Sequence, residues 1–304
     1  MGKPVLRQAF CTFLVIAGLL ALYPLPTAAA DACKSHGYVE LPVTLAAGVP
    51  VVRFTVSSKE LLLILDTGAQ STVISTGAAD RLQLPRSMVY PRRMRGLGGG
   101  LVGGAVGLPG LAVAGIELPN FGALVAPIEL KLSGIVPDGL LGADILSDYD
   151  VDLDLARNRV RLWCSSGAPD WSRSYSTIEA NRSLHDRLFF WSALDGKRTA
   201  VIIDTGAQHS LVDSRAALAT GIDAKALGSQ PAIAVLGISG SGGVQARPYR
   251  FRELAIGRER LAQPSLLVAP LGLEDADLIL GADFMKDRRV RLSYRSRRIY
   301  IEPR

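Results

Sequence analysis

The sequence predicts an all-β protein built from two homologous halves with short helices. The segment D-T-G-A-Q occurs twice, beginning at Asp66 and at Asp204, and an apolar run precedes each copy. Similar segments surround Gly142 and Gly281, "DGLLGADIL" and "DLILGADFM". The aspartates are 138 residues apart and the glycines 139. Two separate sequence motifs that recur at spacings within one residue of each other indicate an internal repeat.

Short apolar runs bounded by Gly, Pro and Asp predict β-strands in both halves. The runs lie at residues 51–56, 61–65, 72–75 and 159–163, and again at residues 187–194, 199–203, 210–213 and 297–301. Short helical segments are expected at residues 78–84 and 214–220. Long amphipathic helices are not predicted, which favours the all-β class.

Residues 1–30 are typical of a secretory signal peptide. Lys3 and Arg7 give a positive start, an apolar stretch follows at residues 9–23, and Ala28 to Ala30 offer small residues for cleavage. The apolar stretch is short for a bilayer span. We therefore expect a secreted or periplasmic protein with no stable membrane insertion after cleavage. An uncleaved N-terminal membrane anchor is the alternative.

The mature chain is predicted to form two lobes, residues 31–168 and 171–304. Between them lies "CSSGAPDWS" at residues 164–172, whose Ser, Gly and Pro content predicts a linker. Apolar residues make up 48% of the chain and charged residues 20%, which excludes general disorder.

Basic residues are in modest excess, with a formal net charge of +6. The arginine-rich run at residues 286–298 alternates with apolar residues, so we interpret its charges as solvated faces of strands. The chain has no basic module with interleaved aromatic residues, and we expect no nucleic-acid partner.

Cys33 and Cys164 are the two cysteines that remain after loss of the signal peptide, and in an oxidising compartment they predict one disulfide. Lipid attachment at Cys33 is a weaker alternative. The spacing Cys33-x-x-His36 hints at a metal, but without further clustered ligands we predict no metal and no cofactor.

The repeated segment has a defined chemistry. An Asp after an apolar strand is rigid and partly desolvated, and the Gly two residues later permits a tight turn. A lone D-T-G triplet carries little information, because such an Asp can simply cap a turn. A pseudo-twofold axis can bring two such turns face to face, and two close carboxyl groups then share one proton. One activates a water as general base, and the other donates to a carbonyl oxygen.

These segments resemble the retropepsin-like (retroviral-type) aspartic proteases. The likeness rests on the two apolar-apolar-Asp-Thr-Gly-Ala segments and on the two later Leu-Gly-Ala-Asp segments, and it covers nearly all of the mature chain at the level of motifs. It implies two closed β-barrel lobes related by a pseudo-twofold axis, with short helices. The chain would be a single-chain, two-lobed, bacterial-type member that acts as a monomer.

The resemblance also assigns roles to the repeated residues. Asp66 and Asp204 would be the catalytic pair. Thr67 and Thr205 would cross-link the two turns. Gly68 and Gly206 would support the active site, and residues 140–142 and 279–281 would pack behind it.

Ala69 and Ala207 follow the two D-T-G triplets. Pepsin-like enzymes have Ser or Thr there, whereas retroviral enzymes have Ala. Alanine cannot donate a hydrogen bond to the carboxyl groups, so we expect activity from mildly acidic to near-neutral pH.

Members of this family close over substrate with a glycine-rich hairpin called the flap. The candidates are Gly98, Gly99 and Gly100 in one half, and Gly240 and Gly242 in the other. Plain surface hairpins are an alternative. A dinucleotide site is a weak one, because no helix-forming sequence follows the glycines.

Asp144 and Asp283 recur in the two halves after the Gly of each later segment. We expect them to cap the N-termini of short helices rather than to act in catalysis.

The leading prediction is a secreted or periplasmic aspartic endopeptidase, which hydrolyses the peptide bonds of a polypeptide substrate through a water held between Asp66 and Asp204. The alternative is a non-catalytic peptide-binding or scaffold protein that retains the fold, although a scaffold needs neither carboxylate. A third arrangement pairs lobes of two chains across a dimer.

Overall fold

The computed structural model describes residues 37–303, except residues 98, 115, 119–120, 165–167, 184–185 and 238–242. The predicted signal peptide, Cys33 and the flap candidates Gly98, Gly240 and Gly242 lie outside the described residues. Among the residues that are described, no helix is long and apolar enough to cross a membrane.

Twelve strands lie among the described residues of the first half. They are β1 (Tyr38–Ala46), β2 (Val49–Val56), β3 (Lys59–Leu65), β4 (Val73–Ser75), β5 (Arg86–Gly96), β6 (Gly99–Leu108), β7 (Ala112–Val113), β8 (Ile116–Glu117), β9 (Phe121–Ala126), β10 (Gly139–Leu141), β11 (Asp150–Asp154) and β12 (Arg159–Trp163).

Thirteen strands lie among the residues of the second half that the structure describes. They are β13 (Ser176–Glu179), β14 (Asn181–Arg182), β15 (Leu188–Leu194), β16 (Lys197–Ile203), β17 (Leu211–Asp213), β18 (Ile233–Val235), β19 (Val244–Arg250), β20 (Glu253–Ile256), β21 (Glu259–Ala262), β22 (Ser265–Ala269), β23 (Leu278–Leu280), β24 (Arg289–Ser293) and β25 (Arg298–Ile301).

The helices within the described residues are short. The α-helices are Thr76–Leu82, Ala143–Leu146, Ser214–Ala219, Ala224–Ser229 and Ala282–Met285, and a 3-10 turn covers Leu155–Arg157. In the first of them, the Ser75 hydroxyl accepts from the Ala78 N–H at 3.1 Å, which caps the start. Gln83 ends that helix in the left-handed conformation.

The repeat is visible in the strand pairing. In the first half β3 runs parallel to β10, and β4 runs antiparallel to β10. In the second half β16 runs parallel to β23, and β17 runs antiparallel to β23. The predicted mostly-β fold with two related halves is therefore confirmed. Closure of each lobe into a barrel stays a prediction.

The two halves share one stretch of sheet. Its strand order is β13-β25-β24-β11-β12-β1, so β11 of the first half pairs with β24 of the second. The antiparallel register runs from Asp150 opposite Ser293 to Asp154 opposite Arg289. The exact boundaries of the predicted lobes stay a prediction.

Several charges on this shared stretch are buried, which corrects the expectation of solvated faces for β24, whereas residues 295–298 at the end of the arginine-rich run are exposed. Arg291 is 4% exposed and hydrogen-bonded to the Asp150 carboxylate. Arg289 donates to Asp152 at 2.8 Å, and Asp152 is itself buried. Alternating polarity predicted the strand, but the polar face of β24 packs against acidic partners from β11 instead of water.

The end of the predicted linker is also packed. Trp171 is buried, and the guanidinium carbon of Arg289 lies 4.4 Å from the centre of its ring. The Pro169 carbonyl accepts from Arg291 at 2.8 Å. Residues at this end of the linker therefore help to join the two halves.

Three apolar clusters form the core of the part of the chain that the structure describes. The largest runs through both halves and includes Phe54, Phe190 and Phe251. A second cluster lies in the first half against Ala69, and a third lies in the second half against Ala207. Each of the smaller clusters therefore packs beside one D-T-G-A turn.

Candidate active site

The two predicted aspartates occupy equivalent places in the fold. Asp66 follows β3, and its N–H donates to the Leu141 carbonyl of β10 at 3.0 Å. Asp204 follows β16, and its N–H donates to the Leu280 carbonyl of β23 at 3.0 Å. The apolar-apolar-Gly segments thus pack directly behind the two turns.

Each aspartate carboxyl group is held by its own turn. Oδ1 of Asp66 accepts from the N–H groups of Gly68 at 3.0 Å and Ala69 at 2.8 Å. Oδ1 of Asp204 accepts from the N–H of Gly206 at 2.8 Å and from that of the following alanine at 3.2 Å. In both turns Oδ1 is bound to the backbone, which orients the carboxyl group.

The two turns face each other across the pseudo-twofold axis. A Cβ atom on Gly206 would lie 2.6 Å from Cγ of Asp66, and a Cβ atom on Gly68 would lie closer still to Cγ of Asp204. No ordinary Cβ contact is that short. Each glycine therefore leaves room for the carboxyl group of the opposite turn, and both aspartates of the pair come from one chain.

Thr67 and Thr205 interlock beneath the carboxyl groups. The Thr67 N–H donates to Oγ1 of Thr205 at 3.0 Å, and the Thr205 N–H donates to Oγ1 of Thr67 at 3.1 Å. The Thr67 hydroxyl donates to the Ile203 carbonyl at 2.8 Å, and the Thr205 hydroxyl donates to the Leu65 carbonyl. Both threonines are buried, so these bonds fix the two turns against each other.

Asp144 and Asp283 bind chiefly to residues outside the helices that contain them, which differs from their expected capping role, although Oδ1 of Asp283 also accepts from the Phe284 N–H of its own helix at 2.8 Å. The Asp144 carboxylate accepts from the N–H of Thr72 at 2.9 Å and from its hydroxyl at 2.8 Å. The Asp283 carboxylate accepts from the N–H of Ser210 at 2.9 Å and from its hydroxyl at 2.7 Å. The N-cap residues that precede these two helices are Gly142 and Gly281, which have no capping side chain.

Thr72 and Ser210 connect this support to the turns. Their hydroxyl oxygens accept from the N–H groups of Gly142 and Gly281, each at 3.1 Å. Neither residue was predicted from the sequence. A hydroxyl six residues after each aspartate is a recurring signal that could have identified them.

Burial dominates the electrostatics of the pair. It raises the pKa of Asp66 well above the usual value of a carboxyl group, and the negative charge of Asp204 raises it further. Burial also raises the pKa of Asp204, although hydrogen bonds from Asp66 and Gly206 and the charge of Arg187 oppose that rise. Two carboxyl groups in such a setting hold one proton between them over a broad pH range.

Arg187 is a third residue of the site that was not predicted from the sequence. It precedes β15, and its Nη1 donates to the Gly68 carbonyl at 3.0 Å. Its Nη2 donates to the Asp275 carboxylate. Arg187 has no equivalent arginine in the first half, so the repeat gave no signal for it.

The first flap candidate is a long hairpin. β5 and β6 pair from Arg86 opposite Val106 to Gly96 opposite Gly99. Gly99 and Gly100 begin β6. Leu97 packs against the apolar cluster of the second half that also contacts Ala207. The hairpin therefore reaches from the first half to a wall beside the second turn.

The second flap candidate is shorter. β18 and β19 pair from Ile233 opposite Ala246 to Val235 opposite Val244. Gly237, just beyond β18, lies against the backbone of Leu97, because a Cβ atom there would overlap the Leu97 carbonyl. The two hairpins thus meet.

Cys164 is disulfide-bonded. Its predicted partner, Cys33, lies outside the described residues. The Cys164 N–H donates to the Gly37 carbonyl at 2.9 Å, and β1 pairs with β12 beginning at Tyr38 opposite Trp163. The first and last strands of the first half are therefore neighbours, which is the geometry that a bridge to Cys33 requires.

The described residues contain no group of three or more His, Cys, Asp and Glu side chains that could hold a metal ion. The arrangement at the two turns is organised around hydrogen bonds.

Two mostly-β halves that present paired Asp-Thr-Gly turns define the class of aspartic proteases. The sequence model described as aspartyl protease matches residues 52–145 and again residues 192–284, more than half of the chain. The chain therefore belongs to the aspartyl protease family. A search of curated proteins found no match.

Solved structures share the fold at low sequence identity. An aspartic proteinase from Irpex lacteus is 16% identical with a TM-score of 0.54, and the match covers 87% of this chain and 97% of that one. Basic 7S globulin from soybean is 13% identical with a TM-score of 0.51, and the match covers 88% of this chain and 95% of that one. At these identities the likeness shows the fold alone.

Proposed function

We propose that this chain is a secreted or periplasmic aspartic endopeptidase. The observation that supports this most strongly is the facing pair of Asp-Thr-Gly turns, in which each glycine leaves room for the opposite carboxyl group. Membership of the aspartyl protease family and the raised pKa values of both carboxyl groups add further support.

In the proposed reaction, the pair carries one proton and holds a water between Asp66 and Asp204. The ionised carboxylate takes a proton from the water, whose oxygen forms a bond to the carbonyl carbon of the peptide. The protonated carboxyl group gives its proton to the carbonyl oxygen. The product of this step is a tetrahedral gem-diol, and no covalent bond to the enzyme forms.

Breakdown of the gem-diol reverses the proton movements. The C–N bond breaks, the leaving nitrogen takes a proton from the dyad, and a hydroxyl of the gem-diol returns its proton to the other carboxylate. The products are a carboxylic acid and an amine, and the pair again carries one proton. The fixed orientation of the turns contributes to rate because the reacting groups need little reorganisation.

The proposed substrate is a polypeptide, bound beneath the hairpin of β5 and β6. The contact of Leu97 with the apolar cluster beside Ala207 supports this, because a segment there crosses from one half to the other. The residues of a bound peptide would lie between that hairpin and the two turns.

A peptide-binding protein without turnover is the second candidate. The observation behind it is the fold similarity to a protein named as a globulin rather than a proteinase. The paired, half-buried carboxyl groups favour the endopeptidase, because binding alone requires no shared proton.

The test is a cleavage-site profile on a library of proteome-derived peptides, with protein lacking residues 1–30 and its Asp66→Asn variant side by side. We expect new termini with the parent protein between mildly acidic and neutral pH, and none with the variant. Peptides that bind without being cut would favour the second candidate. Molar mass by size exclusion with light scattering, measured on the same sample, tests the proposed monomer against a dimer.

A further inference from the structure

A buried arginine of the second lobe reaches the catalytic turn of the first. Arg187 is 6% exposed. Its guanidinium group donates to the Gly68 carbonyl at 3.0 Å and to the Asp275 carboxylate. A guanidinium group keeps its charge at any working pH. One positive charge is thus fixed beside the paired carboxyl groups.

Only the second lobe carries a positive charge at this position. β2 and β3 pair in the same register as β15 and β16 of the second lobe, Val51 opposite Ile64 and Phe189 opposite Ile202. That register places Val49 of the first lobe where Arg187 stands in the second. Val49 is apolar and buried, so its side chain cannot donate to the other turn.

Asp275, the partner of Arg187, also has no charged equivalent in the first lobe. β3 and β10 pair with Leu63 opposite Gly139, and β16 and β23 pair with Val201 opposite Leu278. Counted from that register, the equivalent of Asp275 in the first lobe is Val136, which is exposed. Neither member of the ion pair has a charged counterpart across the pseudo-twofold axis.

Arg187 acts electrostatically on the carboxyl group of Asp204. Gly68, whose carbonyl it binds, is the residue that packs against the carboxyl group of Asp204. The charge of Arg187 opposes the rise in the pKa of Asp204 that burial causes. A nearby positive charge favours the ionised form of a carboxyl group.

We propose that Arg187 is a positioning residue that makes Asp204 the ionised member of the pair and leaves the shared proton on Asp66. In the reaction, Asp204 then takes the proton from the water, and Asp66 donates to the carbonyl oxygen. The catalytic meaning of this assignment rests on the proposed endopeptidase function, whereas the charge state itself can be measured without turnover.

Two other titratable groups bear on the pair. Burial raises the pKa of the Tyr294 hydroxyl, and the charge of Asp66 raises it further, so this hydroxyl stays neutral at working pH. Burial favours the neutral form of Asp275, but the hydrogen bond and charge of Arg187 outweigh it and lower its pKa. The ionised Asp275 therefore offsets part of the positive charge, and its removal strengthens the effect of Arg187.

The test is the titration of Asp204 in the full chain with Asp66→Asn, read from the carboxyl chemical shift of ¹³C-labelled aspartate. The signal is assigned by its loss in Asp66→Asn/Asp204→Asn. In that background, we expect Arg187→Met to raise the titration midpoint by about 1 pH unit. Asp275→Asn should move it the opposite way, and Arg187→Lys should leave it nearer the parent value.

Arg288→Met is the matched control. Arg288 is an equally buried arginine of the second lobe, but it pairs with Glu259 and packs over Phe284. Its loss should leave the Asp204 midpoint in place. A merely structural role of Arg187 would change stability in both arginine variants and would move the midpoint in neither.

An unchanged midpoint in Arg187→Met overturns the proposal. If that variant does not fold, Asp275→Asn decides, because a midpoint that stays or rises there is also contrary to it. In the active protein, the acid limb of kcat/KM should move to higher pH in Arg187→Met and not in Arg288→Met. A chain without any turnover would refute the proposed endopeptidase, while the titration would still decide the charge assignment.

Discussion

Gly206 is the position where the smallest change should disturb the site most. A Cβ atom there would lie 2.6 Å from Cγ of Asp66, whereas non-bonded heavy atoms pack at about 3.5–4.0 Å. Gly206→Ala therefore requires the carboxyl group of Asp66 to move by roughly 1 Å. A displacement of that size costs about 100-fold in rate, equivalent to about 2.7 kcal/mol in the activation barrier.

The assay is kcat/KM on a peptide substrate taken from the cleavage profile, together with urea unfolding to show that the variant is folded. Gly228→Ala is the matched control in the same lobe, because a Cβ atom at this helical glycine meets nothing within 4 Å. The control should keep full activity. If Gly206→Ala kept kcat/KM within threefold of the parent, the facing arrangement of the two turns would be wrong.

Three further predictions concern the neighbourhood of the pair. Thr67→Val should lower the free energy of unfolding by about 2–4 kcal/mol in urea titrations, because it leaves a buried N–H and a buried carbonyl without their partner; Thr67→Ser should restore most of that loss, and equal stability of all three proteins would contradict the interlock. The double variant Ala69→Ser/Ala207→Ser should have a bell-shaped pH profile of kcat/KM that is moved toward acid, since a hydroxyl that donates to a carboxylate lowers its pKa. An unmoved profile, or a parent optimum near pH 2–3, would refute this explanation of the two alanines. Cys164 should form a disulfide with Cys33, so that a thiol reagent labels neither cysteine under denaturing, non-reducing conditions. Labelling of Cys33 would exclude the bridge.

The fold and the pair could be predicted because their signals are local and duplicated. The turn of Asp66 and the turn of Asp204 each lie within one short segment, and the constant spacing of the repeat gives their equivalence. Strand positions followed from short apolar runs between turn residues. β12, for example, covers the same residues, Arg159–Trp163, as the predicted strand.

Features that depend on tertiary contacts without a counterpart in the other half could not be predicted. Arg187 acts across the lobe interface, and its contact with Gly68 joins residues 119 apart in sequence. The burial of Arg291 was missed for a related reason. An alternating strand has the same sequence pattern whether its polar face meets water or the acidic side chains of a neighbouring strand.

The short helices show a third kind of limit. Asp144 stands where a helix begins, and capping was the local interpretation. In the fold its carboxylate accepts from Thr72, a residue of another segment, at 2.8 Å from the hydroxyl. Local propensity does not contain such a tertiary hydrogen bond.

We propose that Asp66 and Asp204 form one active site, and a double-mutant comparison of kcat tests this most directly. Groups that act as a unit show strongly non-additive losses. We predict that Asp66→Asn and Asp204→Asn each reduce peptide hydrolysis to the background rate, and that the double variant is no slower than either. Near-parental turnover in one single variant, or further loss in the double variant, would contradict the shared dyad.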